Sequence, residues 1–172
     1  NPFSISIPGK EGAPPVVLEM SSTVVARGKI RRADRLKEQI PEGWAFDDTG
    51  TPTNDPAAAL KGTLMPIGGP KGYGLALMID VLAGMLSGSL YGPEIRTFHE
   101  LKGATGVGVF TLAIEIERFM PIGQFTGLFE NYLASIKASR KAKGVSRIYL
   151  PGEIEYEKEQ KNLTEGIEVS PA

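Results

Sequence analysis

The chain contains no cysteine and only one histidine in 172 residues. Without thiols it can have no disulfide framework, no thiolate metal site and no cysteine nucleophile. That composition suits a reducing compartment, so the cytoplasm is the expected location. Charge of one sign is also lacking: 19 basic residues face 20 acidic ones, for a net charge of −1. Nothing general therefore draws the chain to nucleic acid or to an anionic membrane. No apolar run reaches the ~18 residues needed to span a bilayer, and the first residues carry neither a basic nor an apolar leader region. There is no internal repeat and no low-complexity tract. The expected partner is a small molecule or another protein. With an apolar content of 41%, the chain can form one domain or one large piece of a bigger protein.

What is present in quantity is glycine, concentrated in Met65-Pro-Ile-Gly-Gly-Pro-Lys-Gly-Tyr-Gly-Leu75 ahead of an apolar helical pattern over 75–86. Pro70 pre-sets a turn, and Gly68, Gly69, Gly72 and Gly74 allow close approach to the backbone. A helix start offers free N–H groups and the positive end of the helix dipole. Lys71 adds a mobile charge beside it. On spacing alone, a tight turn that permits close packing is the favoured explanation of the cluster. Neither the P-loop spacing nor the Rossmann G-x-G-x-x-G is present at a strand-to-helix turn, so a nucleotide bound here would be bound by other means.

Elsewhere the pattern predicts alternating strands and helices. Phe3, Ile5 and Ile7 alternate with polar neighbours as a half-buried strand does, which leads us to expect that the chain starts in mid-domain. Val16 to Met20 reads as a strand, and Ser21 or Ser22 as the N-cap of a helix through Val25, Ile30, Ala33 and Leu36. Lys29, Arg31, Arg32, Arg35 and Lys37 make that helix basic, most simply as a solvated face, though Lys29 or Arg31 could reach a phosphate. Asp47-Asp48-Thr-Gly50 reads as a turn with solvated carboxylates rather than an acid–base pair. Asp55-Pro56 should open a short helix.

The helix over 75–86 has little polar face and should be buried against a sheet or a second subunit. Val109 to Glu117 reads as a strand, Pro121 to Ala142 as a helix with the stripe Phe125, Phe129, Leu133 and Ile136, and Gly144 as its stop. Arg147 to Leu150 reads as a strand leading into the Pro151-Gly152-Glu153 turn, before a short charged helix. His99 falls in a polar stretch after Tyr91-Gly-Pro93 and has no recognisable carboxylate to orient it, so we assign it no catalytic role. No metal site is expected.

The order of motifs resembles the malate/L-lactate dehydrogenase family, which includes ureidoglycolate dehydrogenase, sulfolactate dehydrogenase and diketogulonate reductase. The resemblance is carried by Asn1-Pro2, Glu19-Met20-Ser21-Ser22 with Ala26-Arg-Gly-Lys29, Ile40-Pro-Glu-Gly-Trp44, Gly50-Thr-Pro-Thr53, Pro66 to Leu75 and Leu150-Pro-Gly-Glu153. With these motifs in line, anion binding at Lys71 becomes the favoured reading. The resemblance implies an α/β (α+β) fold with a mixed, mostly antiparallel sheet flanked by helices, which binds NAD or NADP without a Rossmann domain. It implies hydride transfer between nicotinamide and the C2 of a 2-hydroxy or 2-oxo acid, in a homodimer.

The family's cofactor contacts would fall on Leu18, Glu19, Met20, Ser21, Ser22, Thr23 and Val24, on Pro70 and Lys71, and on Gly152 and Glu153. Two positions depart from the family pattern: Glu19 stands where Asp is usual, and Pro70 where His or another larger side chain is common. The chain matches only the second half of the family sequence. Residues 1–172 would then be the cofactor-binding portion of a larger enzyme, with 121–172 returning to pack on the upstream part. The catalytic His and substrate-binding Arg belong to that upstream part, so no residue here is assigned to catalysis. A non-catalytic nucleotide-binding or dimerisation fragment is the alternative. NAD and NADP both remain open, because Glu19 disfavours a ribose phosphate while Lys29, Arg31 and Arg32 would welcome one.

Overall fold

The helical spacing between Val25 and Leu36 is realised in α1 (Arg27–Leu36), which buries Ile30 and Ala33 and exposes Lys29, Arg31, Arg32 and Arg35. The computed structural model describes residues 2–96 and 103–167, so Asn1 and His99 lie outside the described residues. The chain divides into two units, Asn1–Phe3 with Met20–Leu112, and Ser4–Glu19 with Ala113–Ala172.

In the first unit, β3 (Ala45–Phe46) lies between β4 (Pro52–Thr53) and β5 (Thr63–Leu64), antiparallel to both, with Ala45 opposite Thr53 and Leu64. The core is Val25, Ile30, Ala33, Ile40, Ala45 and Ala59, with Trp44, Leu60 and Leu64 packed against it. The turn from β3 to β4 is made by Asp47, as its composition suggested. One carboxylate oxygen accepts the N–H groups of Thr49 and Thr51, both at 2.9 Å, and the Thr49 hydroxyl at 2.6 Å. These bonds, the Thr49 hydroxyl foremost, hold the Asp47 carboxyl below its ordinary pKa. Asp55 caps α2 (Pro56–Lys61) by accepting the Ala57 N–H at 3.0 Å, with Pro56 in the first turn.

Two expectations about helix starts need correction. Helix α1 begins at Arg27 with Ala26 at the N-cap, because Ser21 closes β2 (Val16–Ser21). The Ser21 and Thr23 hydroxyls donate instead to the carbonyls of Thr23 and Val25, at 3.1 and 2.8 Å. Such local bonds compete with capping and here shape the turn between strand and helix. The apolar helix α3 (Pro70–Asp80) starts at Pro70 rather than Leu75, so Gly72 and Gly74 are helical. It continues through a π-helical turn, Val81–Met85, where the Leu86 N–H reaches the Val81 carbonyl at 2.9 Å. The burial expected of this helix is not met within the chain: Leu77, Met78 and Met85 are exposed, Met78 to 54%.

In the second unit, β1 (Pro2–Ile7) pairs with β2, which runs on into the first unit. Helix α4 (Ile122–Ala138) carries the expected stripe of Phe125, Phe129, Leu133 and Ile136, all half-buried, with the two Phe rings stacked at 6.0 Å. It ends at Ser139, before Ala142 and Gly144. The charged helix is α5 (Glu153–Glu165).

Two expected strands do not form. Residues 109–115 and 147–150 have no regular structure, and Ile116–Arg118 is a short 3-10 turn. A strand needs a neighbour for its backbone groups, and among the described residues nothing pairs with either segment. Among the described residues the sheets are correspondingly small, with two and three strands. No helix among the described residues is long and apolar enough to cross a membrane.

Candidate functional site

In the first unit, the backbone brings two of the sequence-predicted segments side by side. The Val24 N–H donates to the Met65 carbonyl at 2.9 Å, the Ile67 N–H donates to the Ser22 carbonyl at 3.0 Å, and Thr23 bridges antiparallel to Pro66. Ser22, Thr23 and Val24 therefore lie along the segment that leads into Pro70 and Lys71. Ser22 is buried at 4% exposure, Met20, Ser21 and Thr23 are half-buried, and Val24 is exposed.

The start of α3 is built as an open helix end. Gly68 and Gly69 both have positive φ, 60° and 62°, and a Cβ on either would point into open space. No side chain caps the helix and no acidic residue occupies its first turn. Pro70 has no N–H to satisfy, and the Tyr73 N–H closes the first turn on the Gly69 carbonyl at 3.0 Å. The Lys71 and Gly72 N–H groups precede any carbonyl inside the helix that could receive them. Lys71 itself is exposed. Next to this end lies a cavity of about 670 Å³, lined by Val24, Phe46, Met65, Pro66, Pro70 and Tyr73. Free N–H groups, a dipole end and a lysine beside an apolar wall fit a ligand that is anionic at one point and flat and apolar at another.

Three of these wall residues, Phe46, Met65 and Tyr73, were not singled out as site residues in the sequence. Tyr73 sits inside the glycine cluster and was within reach. Phe46 arrives only through the pairing of β3 with β5, which no local spacing announces.

In the second unit, the Leu150-Pro-Gly152 turn lies against β2. The Val17 N–H donates to the Pro151 carbonyl at 3.3 Å, so half-buried Leu18 and exposed Glu19 follow directly on the contact. Gly152 adopts φ 82°, and a Cβ there would lie 2.9 Å from the Val17 carbonyl oxygen, so both conformation and space require glycine. Glu153 is enclosed by its own chain. Its carboxylate accepts Lys137 Nζ at 2.7 Å, the Leu150 N–H at 2.9 Å, and the Arg147 guanidinium. Lys137 first, then the Leu150 amide and Arg147, against the opposing effect of burial, hold its pKa down at about 2.

A second depression, of about 310 Å³, lies where the end of α1 meets the start of α2, lined by Asp34, Lys37, Asp55 and others. Both of its aspartates are engaged: Asp34 pairs with Lys37 at 3.6 Å and Asp55 caps α2. Among the described residues, no group of three or more His, Cys, Asp or Glu side chains could hold a metal ion.

The family model of malate/L-lactate dehydrogenase matches residues 1–172. Ureidoglycolate dehydrogenase (NAD(+)) of Escherichia coli K12 is 35% identical over 98% of this chain and 48% of its own length. The (2R)-3-sulfolactate dehydrogenase (NADP(+)) of Chromohalobacter salexigens is 39% identical over 88% of this chain and 43% of its own. Among solved structures, the sulfolactate dehydrogenase of Methanocaldococcus jannaschii superimposes with a TM-score of 0.85 at 38% identity, covering 98% of this chain and 48% of that one. The chain thus spans about half the length of the curated relatives it matches. By sequence along its whole length and by fold, the chain belongs to the malate/L-lactate dehydrogenase family.

Proposed function

We propose that this chain supplies the cofactor-binding half of an NAD(P)-dependent oxidoreductase that interconverts a 2-hydroxy acid and its 2-oxo acid. The observation that carries this reading is the uncapped start of α3, with Gly68, Gly69 and Lys71 open to solvent beside an apolar cavity. A dinucleotide has the matching chemistry: a pyrophosphate for the N–H groups and the lysine, and planar rings for the apolar wall. The nicotinamide supplies the hydride chemistry when bound.

On the protein side, Pro70 and Gly69 keep the helix end bare and Lys71 offsets phosphate charge. Met20 to Val24 line the approach to that end in the first unit. Leu18, Glu19, Gly152 and Glu153 form the other candidate contact group, in the second unit. The names of relatives that use NAD(+) or NADP(+) support either coenzyme. Small antiparallel sheets and the lack of a Rossmann glycine turn support a non-Rossmann mode of binding.

In this reading the upstream half contributes the proton donor and the substrate-binding groups, and residues 121–172 pack on it. Exposed Leu128 and Tyr132 on α4 support that packing. The whole enzyme is a homodimer in the cytoplasm, with no nucleic-acid or membrane partner. A purely nucleotide-binding or dimerising fragment would use the same helix end, and the half-length match keeps it as the second reading.

The test is Lys71→Ala in the whole enzyme. Because a hydrogen bond to a charged group is worth about 1.5–3 kcal/mol, the KM for dinucleotide should rise by roughly 10- to 100-fold. The melting temperature should stay unchanged, since Lys71 is exposed. An unaltered KM would remove Lys71 from the site. The 172 residues alone should show no turnover, and hydride transfer by the pure chain would refute the division of labour between halves.

A further inference from the structure

We propose that Glu153 is a positioning residue for dinucleotide binding: its carboxylate closes the Leu150–Gly152 turn and ties it to α4, and so presents that turn without itself touching the ligand. The inference rests on the cofactor reading above, and it gives one of the residues in that reading a different task.

The turn lacks the usual fastening. Residues 147–150 form no strand, and the one backbone bond from the turn to β2, Val17 N–H to the Pro151 carbonyl, is long at 3.3 Å. Yet Gly152 sits so close to Val17 that even a methyl group would collide. The turn must therefore be held from its other side.

Glu153 is placed to do so. One of its oxygens accepts the Leu150 N–H at 2.9 Å, closing the turn on itself, while the Glu153 N–H returns to the Leu150 carbonyl at 3.1 Å. The other oxygen accepts both Lys137 Nζ, at 2.7 Å, and Arg147. This ties the turn to α4. Arg147 is itself fixed by Glu157 at 2.6 Å and by stacking over the Tyr149 ring at 4.5 Å.

Both oxygens are thus committed to donors of the same unit, and the side chain is only 16% exposed. A carboxylate so occupied has little acceptor capacity left for a ribose hydroxyl. Its charge would also repel a pyrophosphate unless neutralised, and Lys137 and Arg147 neutralise it. Direct contact is the less favourable use of this group; holding the turn uses every bond it makes.

The experiment compares Glu153→Ala, Glu153→Gln and Lys137→Met with the unaltered chain. It measures the dissociation constants of NADH and NADPH by calorimetry and the hydrogen exchange of the Val17 and Leu150 amides, well below each unfolding midpoint. Glu153→Ala should speed exchange at both amides and raise the dissociation constant by about tenfold, as loss of a charged hydrogen-bond partner does. Glu153→Gln keeps an acceptor for Leu150 and should lie between. Lys137→Met should move both readouts in the same direction.

Weaker binding in Glu153→Ala with unchanged exchange would mean direct contact and overturn the proposal. Faster exchange with unchanged affinity would also overturn it, since the turn would then matter only to the fold. If the unaltered chain bound neither dinucleotide, the cofactor reading would fall and take the positioning role with it. The exchange data would still report whether Glu153 fastens the turn.

Discussion

Gly72 and Gly74 stand two residues apart in the same helix and differ sharply in what surrounds them. A Cβ on Gly72 would lie 1.8 Å from the Ile67 carbonyl oxygen, whereas one on Gly74 meets nothing within 4 Å. Gly72→Ala should therefore destabilise the chain by about 1–3 kcal/mol, the usual cost of overpacking. Gly74→Ala should be neutral or stabilise it by up to ~1 kcal/mol through helix propensity. Denaturant unfolding of the two variants checks the contrast, and equal effects would mean that the helix start is not seated on Ile67 as described.

At this scale the sequence was partly readable. The glycine cluster and Pro70 announced a helix start close by, because their chemistry is local, although the helix begins at Pro70 and not at Leu75. The network around Glu153 did not announce itself, since Lys137 lies on another helix and becomes a neighbour only after folding. The serines after β2 misled for the opposite reason: their hydroxyls can cap a helix or close a turn, and only the path of the chain decides which.

Among the elements, the start of α5 and its preceding turn should respond to acid. The Glu153 pKa is lowered from 4.5 to about 2, so the folded state holds its proton less tightly than the unfolded state does. Its stabilising contribution is complete above pH 4.5 and is lost as pH falls towards about 2. Protection of the Leu150 amide, corrected for intrinsic exchange, should fall through that window. In Glu153→Gln this component should be absent. Asp55→Ala should cost about 1 kcal/mol, as loss of an N-cap does, measurable by the same unfolding assay.

The elements also mark where reading by period stops. Phe110, Leu112 and Ile114 alternate as a strand should, yet Leu112 is 71% exposed and the segment pairs with nothing among the described residues. Alternation shows that a segment is suited to a sheet, while a strand also requires a neighbour. By contrast, the stripe on α4 and the cap of α2 depend on neighbours only a turn away, and both formed where their patterns placed them.

For the molecule as a whole, the mixed α/β character was legible, as were the family motifs in order. The extent of sheet was not, because strand partners are set by long-range pairing. Among the described residues the buried core is a handful of side chains, all in the first unit, while Leu77, Met78, Met85, Leu128 and Tyr132 remain exposed. Exposed apolar surface on this scale is costly unless a partner covers it. The account accordingly predicts that the whole enzyme sediments as a dimer at all working concentrations; a stable monomer would leave the α3 surface unexplained.

The central claim is that the start of α3 holds a dinucleotide through Lys71. Its most direct test is calorimetric titration of the folded chain with NADH and NADPH, beside the Lys71→Ala variant. The account predicts saturable binding of at least one dinucleotide, weakened roughly 10- to 100-fold in the variant. No binding by the folded chain, or binding that the variant retains in full, would contradict it.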